Sequence, residues 1–189
     1  MDSLPALFAR LFTQAPWAYL AWPVAAMMMG TMIGMISSSA AARLAVVPRT
    51  SGGLLGIFTA PFVHANLAHL AANLPPFVVL GALVLRRNES GFIGIAVAIA
   101  LSEGLLVWLA GRRGPHLGMS GVIFGFLGYL LALAWLTRAT PDLLVAAAVL
   151  IVYGGMLAGM APARQGISWE SHLFGFISGL GVAWLGWET

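Results

Sequence analysis

Six apolar runs of about 20 residues, separated mostly by short polar connectors, leave this chain few solvents in which it can fold. The runs lie at about 19–37, 64–85, 91–110, 119–137, 142–161 and 170–187. With 60% hydrophobic and 8% charged residues, a soluble domain of this length would expose patches that aggregate. In lipid a helix satisfies its own backbone polar groups. The expectation is therefore an all-α membrane protein, a bundle of six transmembrane helices over residues 19–187, with the bilayer as its main partner. Residues 1–18 read as an N-terminal interfacial segment, in which Leu4, Leu7, Phe8, Leu11 and Phe12 share one helical face. Trp17, Tyr19 and Trp22 follow, as expected at headgroup level. The segment lacks the basic start and small-residue cleavage site of a signal peptide.

The connectors "RRNES", "GRRGPH", "TRATP" and "APARQG" hold Arg, Pro or both. The first loop, "SSAAARLAVVPRTSGGLLGIFTAPFV", is long, fairly apolar and without clear periodicity. Such a loop is expected to lie partly in the membrane, packed on protein. Arg10, Arg86, Arg87 and Arg138 fall on one side, and Arg43, Arg49, Arg112, Arg113 and Arg164 on the other. That near balance leaves orientation open on charge alone, although six spans put both termini on one side. A scattered net charge of +3 argues against nucleic-acid binding. The absence of cysteine excludes disulfides and thiolate metal sites. No cofactor or metal is expected.

Polar groups inside spans are costly and each needs a reason. Three places stand out: "HANLAHLAANLPP" with His64, His69 and Asn73, "GMSG" with Ser120, and "ESHLFGFISG" with His172. These open spans two, four and six, which enter from the same face of the bilayer, so the groups gather at one end of the bundle. His69 and Asn73 should lie about 7 and 13 Å below His64 and share one helical face; His64 should point elsewhere. On span six His172, Gly175 and Gly179 share a face, and span four offers Gly121, Gly125 and Gly128. Small residues let backbones approach closely in lipid. Close packing of these stripes would bring His172 within hydrogen-bond reach of Ser120.

A serine hydroxyl becomes a useful nucleophile when a base takes its proton, and His172 is the titratable group placed to do so. Acyl transfer also needs donors aimed at the oxyanion. His69, Asn73 and the Ser120 amide can supply them. Gly118 and Gly121, flanking the serine motif, would let substrate backbone come close. Glu170 points away from His172 across the helix, so a Ser–His dyad is expected. Each residue alone also reads as helix packing or interhelical glue; the four together point to catalysis. Glu103 reads as a buried partner for Arg112, Arg113 or a water cluster. His116 reads as loop structure.

Together, "HANLAHLAAN" at 64–73, "GMSG" at 118–121 and "HLFGFISG" at 172–179 resemble the rhomboid family of intramembrane serine proteases, in its minimal six-span bacterial form. The resemblance implies Ser120 as nucleophile, His172 as general base, and His69 and Asn73 in the oxyanion hole. It gives His64 a mainly structural role. It implies single-pass transmembrane substrates cut near the membrane surface, an inner-membrane location, cytoplasmic termini and a site opening outward. Span five and the loop "MAPARQGISWE" are the expected gate. A Trp-Arg pair common in the family's first loop is missing from "GGLLGIFTAPF", which leaves the anchoring of that loop open. Pro75 and Pro76 should kink span two just past Asn73. A silent escort of membrane helices, a histidine-lined channel and a specialised processor of carboxy-terminal sorting signals are the rival readings.

Overall fold

The computed structural model describes residues 17–162 and 168–186. The interfacial helix expected over 3–12 lies outside the described residues. Helix α1 (Ala18–Ile36) is followed by two short helices, α2 (Ser38–Leu44) and α3 (Gly53–Thr59), and a 3-10 turn at Ala60–Phe62. The bundle continues with α4 (Leu67–Arg87), α5 (Phe92–Ala110), α6 (Ser120–Thr137) and α7 (Thr140–Tyr153). A 3-10 stretch at Gly154–Met160 extends α7, and α8 (Trp169–Trp184) completes the bundle. Five of these segments are long and apolar enough to cross a membrane, counting Thr140–Met160 as one. The last helix, α8, has 16 residues, shorter than the run at 170–187 suggested.

Helix α6 is the centre of the bundle: every residue from Gly121 to Leu130 is buried. Its sequence is apolar all round, as a helix surrounded by protein requires. Phe126 packs against Phe77 of α4 and Phe92 of α5, with ring centroids 6.1 and 5.9 Å apart. The closest partner of α6 is α8, and the contact is backbone to backbone. A Cβ on Gly175 would sit 2.0 Å from the Gly121 carbonyl oxygen, and one on Gly179 would sit 1.9 Å from that of Gly125. On the α6 side, a Cβ on Gly128 would lie 2.3 Å from the Phe176 carbonyl oxygen. Lipid supplies no hydrophobic drive between helices, so close packing of this kind has to hold them together.

The first loop is more ordered than its lack of periodicity suggested. Short helices α2 and α3 fold against each other because Gly56 admits the Ala45–Val46 backbone; a Cβ there would fall 2.2 Å from the Ala45 carbonyl oxygen. The missing Trp-Arg pair has a substitute. Arg49 donates to the carbonyls of Leu109 and Gly111, both at 3.0 Å, at the C-terminal end of α5 where cations are favoured. Trp108 returns a bond from Nε1 to the Thr50 carbonyl at 2.8 Å. The anchor thus comes from Arg49 and Trp108, at different positions from those of the family pair.

Helix α4 runs unbroken from Leu67 to Arg87 with both prolines inside it. Pro75 and Pro76 have no N–H, which frees the carbonyls of Ala71 and Ala72 four residues earlier. Helix α7 is fastened at its start: Asp142 pairs with Arg87 of α4 at 3.0 Å and accepts from Thr137 of α6 at 2.7 Å. Beyond that clasp its residues are largely exposed, Ile151 and Val152 among them.

Two outcomes follow. Gly179→Val should cost about 3 kcal/mol or more, since backbone cannot rotate out of the way, whereas Gly181→Ala, with nothing within 4 Å of its Cβ, should be neutral or slightly stabilising. Arg49→Ala should cost about 1 kcal/mol, and Arg49→Lys should recover little of it, because an ammonium cannot fork to two carbonyls. Thermal unfolding in detergent measures both.

Candidate active site

A cavity of about 760 Å³ opens at the end of the bundle where α4, α6 and α8 begin. His69, Asn73, Ser120 and His172 all line it. The four residues singled out in the sequence therefore share one space.

Each is placed by local structure. Asn66 caps α4, its Oδ1 accepting from the His69 backbone N–H at 2.8 Å. This cap starts the helix at Leu67, three residues after His64, so His64 belongs to the preceding turn. The expectation that it would point away from His69 is corrected: their rings meet edge to face, with centroids 5.0 Å apart. Asn73 Nδ2 donates to the His69 carbonyl at 2.8 Å. An amide nitrogen carries two protons, so one fixes the side chain and the second remains for the cavity.

Ser120 is the first residue of α6, and the turn before it is suspended from its surroundings. The Gly118 N–H donates to the Ala60 carbonyl at 2.9 Å, and the Met119 N–H to His64 Nε2 at 3.3 Å. Among the described residues nothing claims the Ser120 N–H, which points out of the helix start as an orphan donor. Gly118 is required twice over. Its φ of +113° suits glycine, and a Cβ there would lie 2.8 Å from His69 Cε1. Gly121 serves the α8 contact and also admits Glu103, whose carboxyl carbon would lie 2.6 Å from a Cβ at that position.

His64 holds this turn through a defined tautomer. Its Nε2 accepts from Met119, so Nδ1 carries the proton and donates to Thr31 Oγ1 at 3.1 Å, which donates in turn to the Met27 carbonyl at 2.7 Å. His64 lies ahead of α4, outside the spanning helix. Burial, with the His69 charge adding to it, pushes its imidazole down from 6.5 to about 4, which keeps Nε2 free to accept at neutral pH.

His172 is held on two sides. Its ring stacks on Phe124, centroids 4.2 Å apart and planes 8° from parallel, one helical turn beyond Ser120. Its Nδ1 lies 3.0 Å from the Gly159 carbonyl oxygen. A carbonyl only accepts, so Nδ1 bears the proton and the Nε2 lone pair is the basic one. Among the described residues no hydrogen bond joins this ring to the Ser120 hydroxyl. Glu170 takes no part in orienting the imidazole; its carboxylate grips Arg112 through Nε and Nη2, the latter at 3.1 Å. Of the partners that the sequence offered for Glu103, Arg112 is engaged here by Glu170. Glu103 lines a small cavity together with Ser171 of α8 and His116. His116 is buried loop structure, as its sequence context suggested, joined to Val46 by a pair of backbone bonds at 2.9 and 2.8 Å. Phe124, Thr31 and the Gly159 carbonyl escaped sequence reasoning: an aromatic on an apolar helix, a threonine in a span and a backbone oxygen carry no signal of their own. Asn66 could have been found as a capping residue ahead of an apolar run.

The Rhomboid domain pattern matches residues 51–189. An uncharacterized protein of Mycobacterium tuberculosis is 36% identical over 171 residues, covering 86% of this chain and 71% of that protein. A second, from Mycobacterium leprae, is 40% identical over 141 residues, or 70% of this chain and 56% of its own length. RHOMBOID-like protein 1 of Arabidopsis thaliana is 29% identical over 129 residues, 65% of this chain and 32% of that protein. With its family pattern, its helical membrane bundle and the cavity above Ser120, the chain belongs to the rhomboid family.

Proposed function

We propose that the chain is an intramembrane serine endopeptidase that cleaves single-pass transmembrane proteins near the membrane surface. The observation that carries this reading is the convergence of Ser120, His172, His69 and Asn73 on one cavity, with the Ser120 N–H unclaimed. Ser120 Oγ attacks the scissile carbonyl carbon while His172 Nε2 takes its proton. The oxyanion is received by the Ser120 N–H, the second Asn73 N–H and His69. His172 then returns the proton to the leaving amine, and water hydrolyses the acyl-enzyme by the same steps. The stack on Phe124 and the Gly159 carbonyl fix the orientation and tautomer of the imidazole, the part of a triad carboxylate's role that neutral groups can fill. Catalytic hydrogen bonds commonly tighten only as substrate binds, so the separate Ser120 and His172 of this structure are compatible with a dyad.

The substrate helix enters from the side, past α7. That helix is clasped at Asp142 and lightly packed toward its other end, where Met156 lines the cavity. The loop that follows it runs in part through residues outside those described. By the family resemblance, the termini face the cytoplasm of the inner membrane and the cavity opens outward.

In detergent, a serine-directed fluorophosphonate should label the wild type, fail to label Ser120→Ala, and label His172→Ala at least about 100-fold more slowly. Labelling retained in Ser120→Ala overturns the assignment. A crosslink between the cavity end of α7 and α4 should abolish cleavage of membrane-embedded substrates while leaving fluorophosphonate labelling intact; unchanged turnover rejects this gate.

A further inference from the structure

A single bond joins the catalytic base to the entry helix. His172 Nδ1–H donates to the Gly159 carbonyl oxygen at 3.0 Å, and among the described residues the ring has no other hydrogen bond. Gly159 belongs to the 3-10 stretch Gly154–Met160 that continues α7, the helix past which the substrate enters. Its carbonyl lies at the end of that stretch, where the last C=O groups lack partners within the helix; the Ala161 N–H goes to Ala158 instead, at 3.3 Å. No residue of the stretch is fully buried, and Met156 and Leu157 rest on the core only in part. At its start Gly154 and Gly155 have nothing within 4 Å of a Cβ, and neither takes a positive φ, so neither packing nor conformation calls for glycine there. Two such residues at the change from α-helix to 3-10 helix soften the join.

We infer that α7 arms His172: the Gly159 carbonyl makes the ring a competent base only while the entry helix is closed, so the site is disarmed as a substrate passes and re-armed behind it. The stack on Phe124 fixes the plane of the imidazole, with ring planes 8° from parallel. It does not fix which edge of the ring faces the cavity, since a half-turn about the Cβ–Cγ bond preserves the stack. Nor does it choose a tautomer. The acceptor at Nδ1 sets both, and leaves the Nε2 lone pair as the one offered to Ser120. A bond of 3.0 Å has little slack, being lost beyond about 3.5 Å, whereas a helix with its side chains is about 10 Å across. Displacing the cavity end of α7 far enough to admit a helix therefore breaks the link. The other end of α7 stays fastened at Asp142, so the motion is greatest where the acceptor sits. Closure restores the base once the substrate is committed. The inference rests on the assignment of Ser120 and His172 and on entry past α7.

The chain contains no cysteine, so a single pair introduced at the cavity ends of α7 and α4 can be bridged by reducible reagents of chosen length. The probe is a small fluorophosphonate that reaches Ser120 from the aqueous mouth and needs no opening of α7. Read as a maximal rate and a half-saturating concentration, labelling under a short bridge should match the unbridged pair. A rigid bridge longer by about 10 Å, a helix diameter, should lower the maximal rate about tenfold with half-saturation within about twofold, and cutting the bridge should restore it. The ring nitrogen-15 signals of the four histidines give a second readout. His172 should hold its proton on Nδ1 under the short bridge and share it between both nitrogens under the long one. A long-bridged protein that labels at the unbridged rate overturns the inference, and so does one that slows with the proton still held on Nδ1; either leaves the Ser120 assignment standing. Cleavage of a membrane-embedded substrate under the short bridge removes the entry route and the inference with it. A wild type that does not label removes the Ser120 assignment as well.

Discussion

The whole arrangement depends on two helices touching without side chains between them. Gly121 and Gly125 on α6 meet Gly175 and Gly179 on α8 at separations that leave no room for a single methyl group. In a bilayer this is what holds helices together, since apolar side chains gain nothing by leaving lipid for protein. It also decides where the polar groups go. With the backbones in contact, residues at the helix starts are brought to a common level, and His172 is laid against Phe124 and over the same cavity as Ser120.

A helix start is a useful place for a nucleophile because its first N–H groups lack partners within the helix. Here the two amides just ahead of Ser120 are spoken for. Gly118 bonds Ala60 and Met119 bonds His64, so the polarity that remains at Ser120 is concentrated where a developing negative charge would need it. The first loop, which supplies Ala60 and His64, is therefore part of the site even though it does not reach the cavity through those residues. Its attachment through Arg49 and Trp108 to the end of α5 makes it a fixed support.

The five long apolar helices and the shorter last one were legible because lipid demands long apolar runs, and their boundaries fell within a few residues of the expected ones once the 3-10 continuation of α7 is counted. Residues lining the cavity were legible too, because a histidine or asparagine in an apolar run is too expensive to be casual. The glycine stripes were readable from spacing alone. Side-chain partners were not. Arg112 answers Glu170 and not Glu103 because the turn of the chain after α5 carries the guanidinium toward the start of α8, a fact of tertiary path that spacing does not encode. His64 was misplaced because the Asn66 cap, a local hydrogen-bonding preference, ends the turn three residues later than hydropathy did. The short helices of the first loop escaped because their burial is against neighbouring backbone, which leaves no periodic trace.

The bond from His64 to Thr31 reaches outside the stretch that carries the family pattern. That pattern begins at residue 51, whereas Thr31 belongs to α1, and Gly30 beside it admits the Phe62 carbonyl oxygen, which would be 2.3 Å from a Cβ. A fragment trimmed to the recognisable region would keep every group named in the chemistry. It would lose the post from which His64, and through it the amide before Ser120, is hung. The stretch that carries the family pattern and the stretch that holds the turn before Ser120 in place are therefore different lengths of chain.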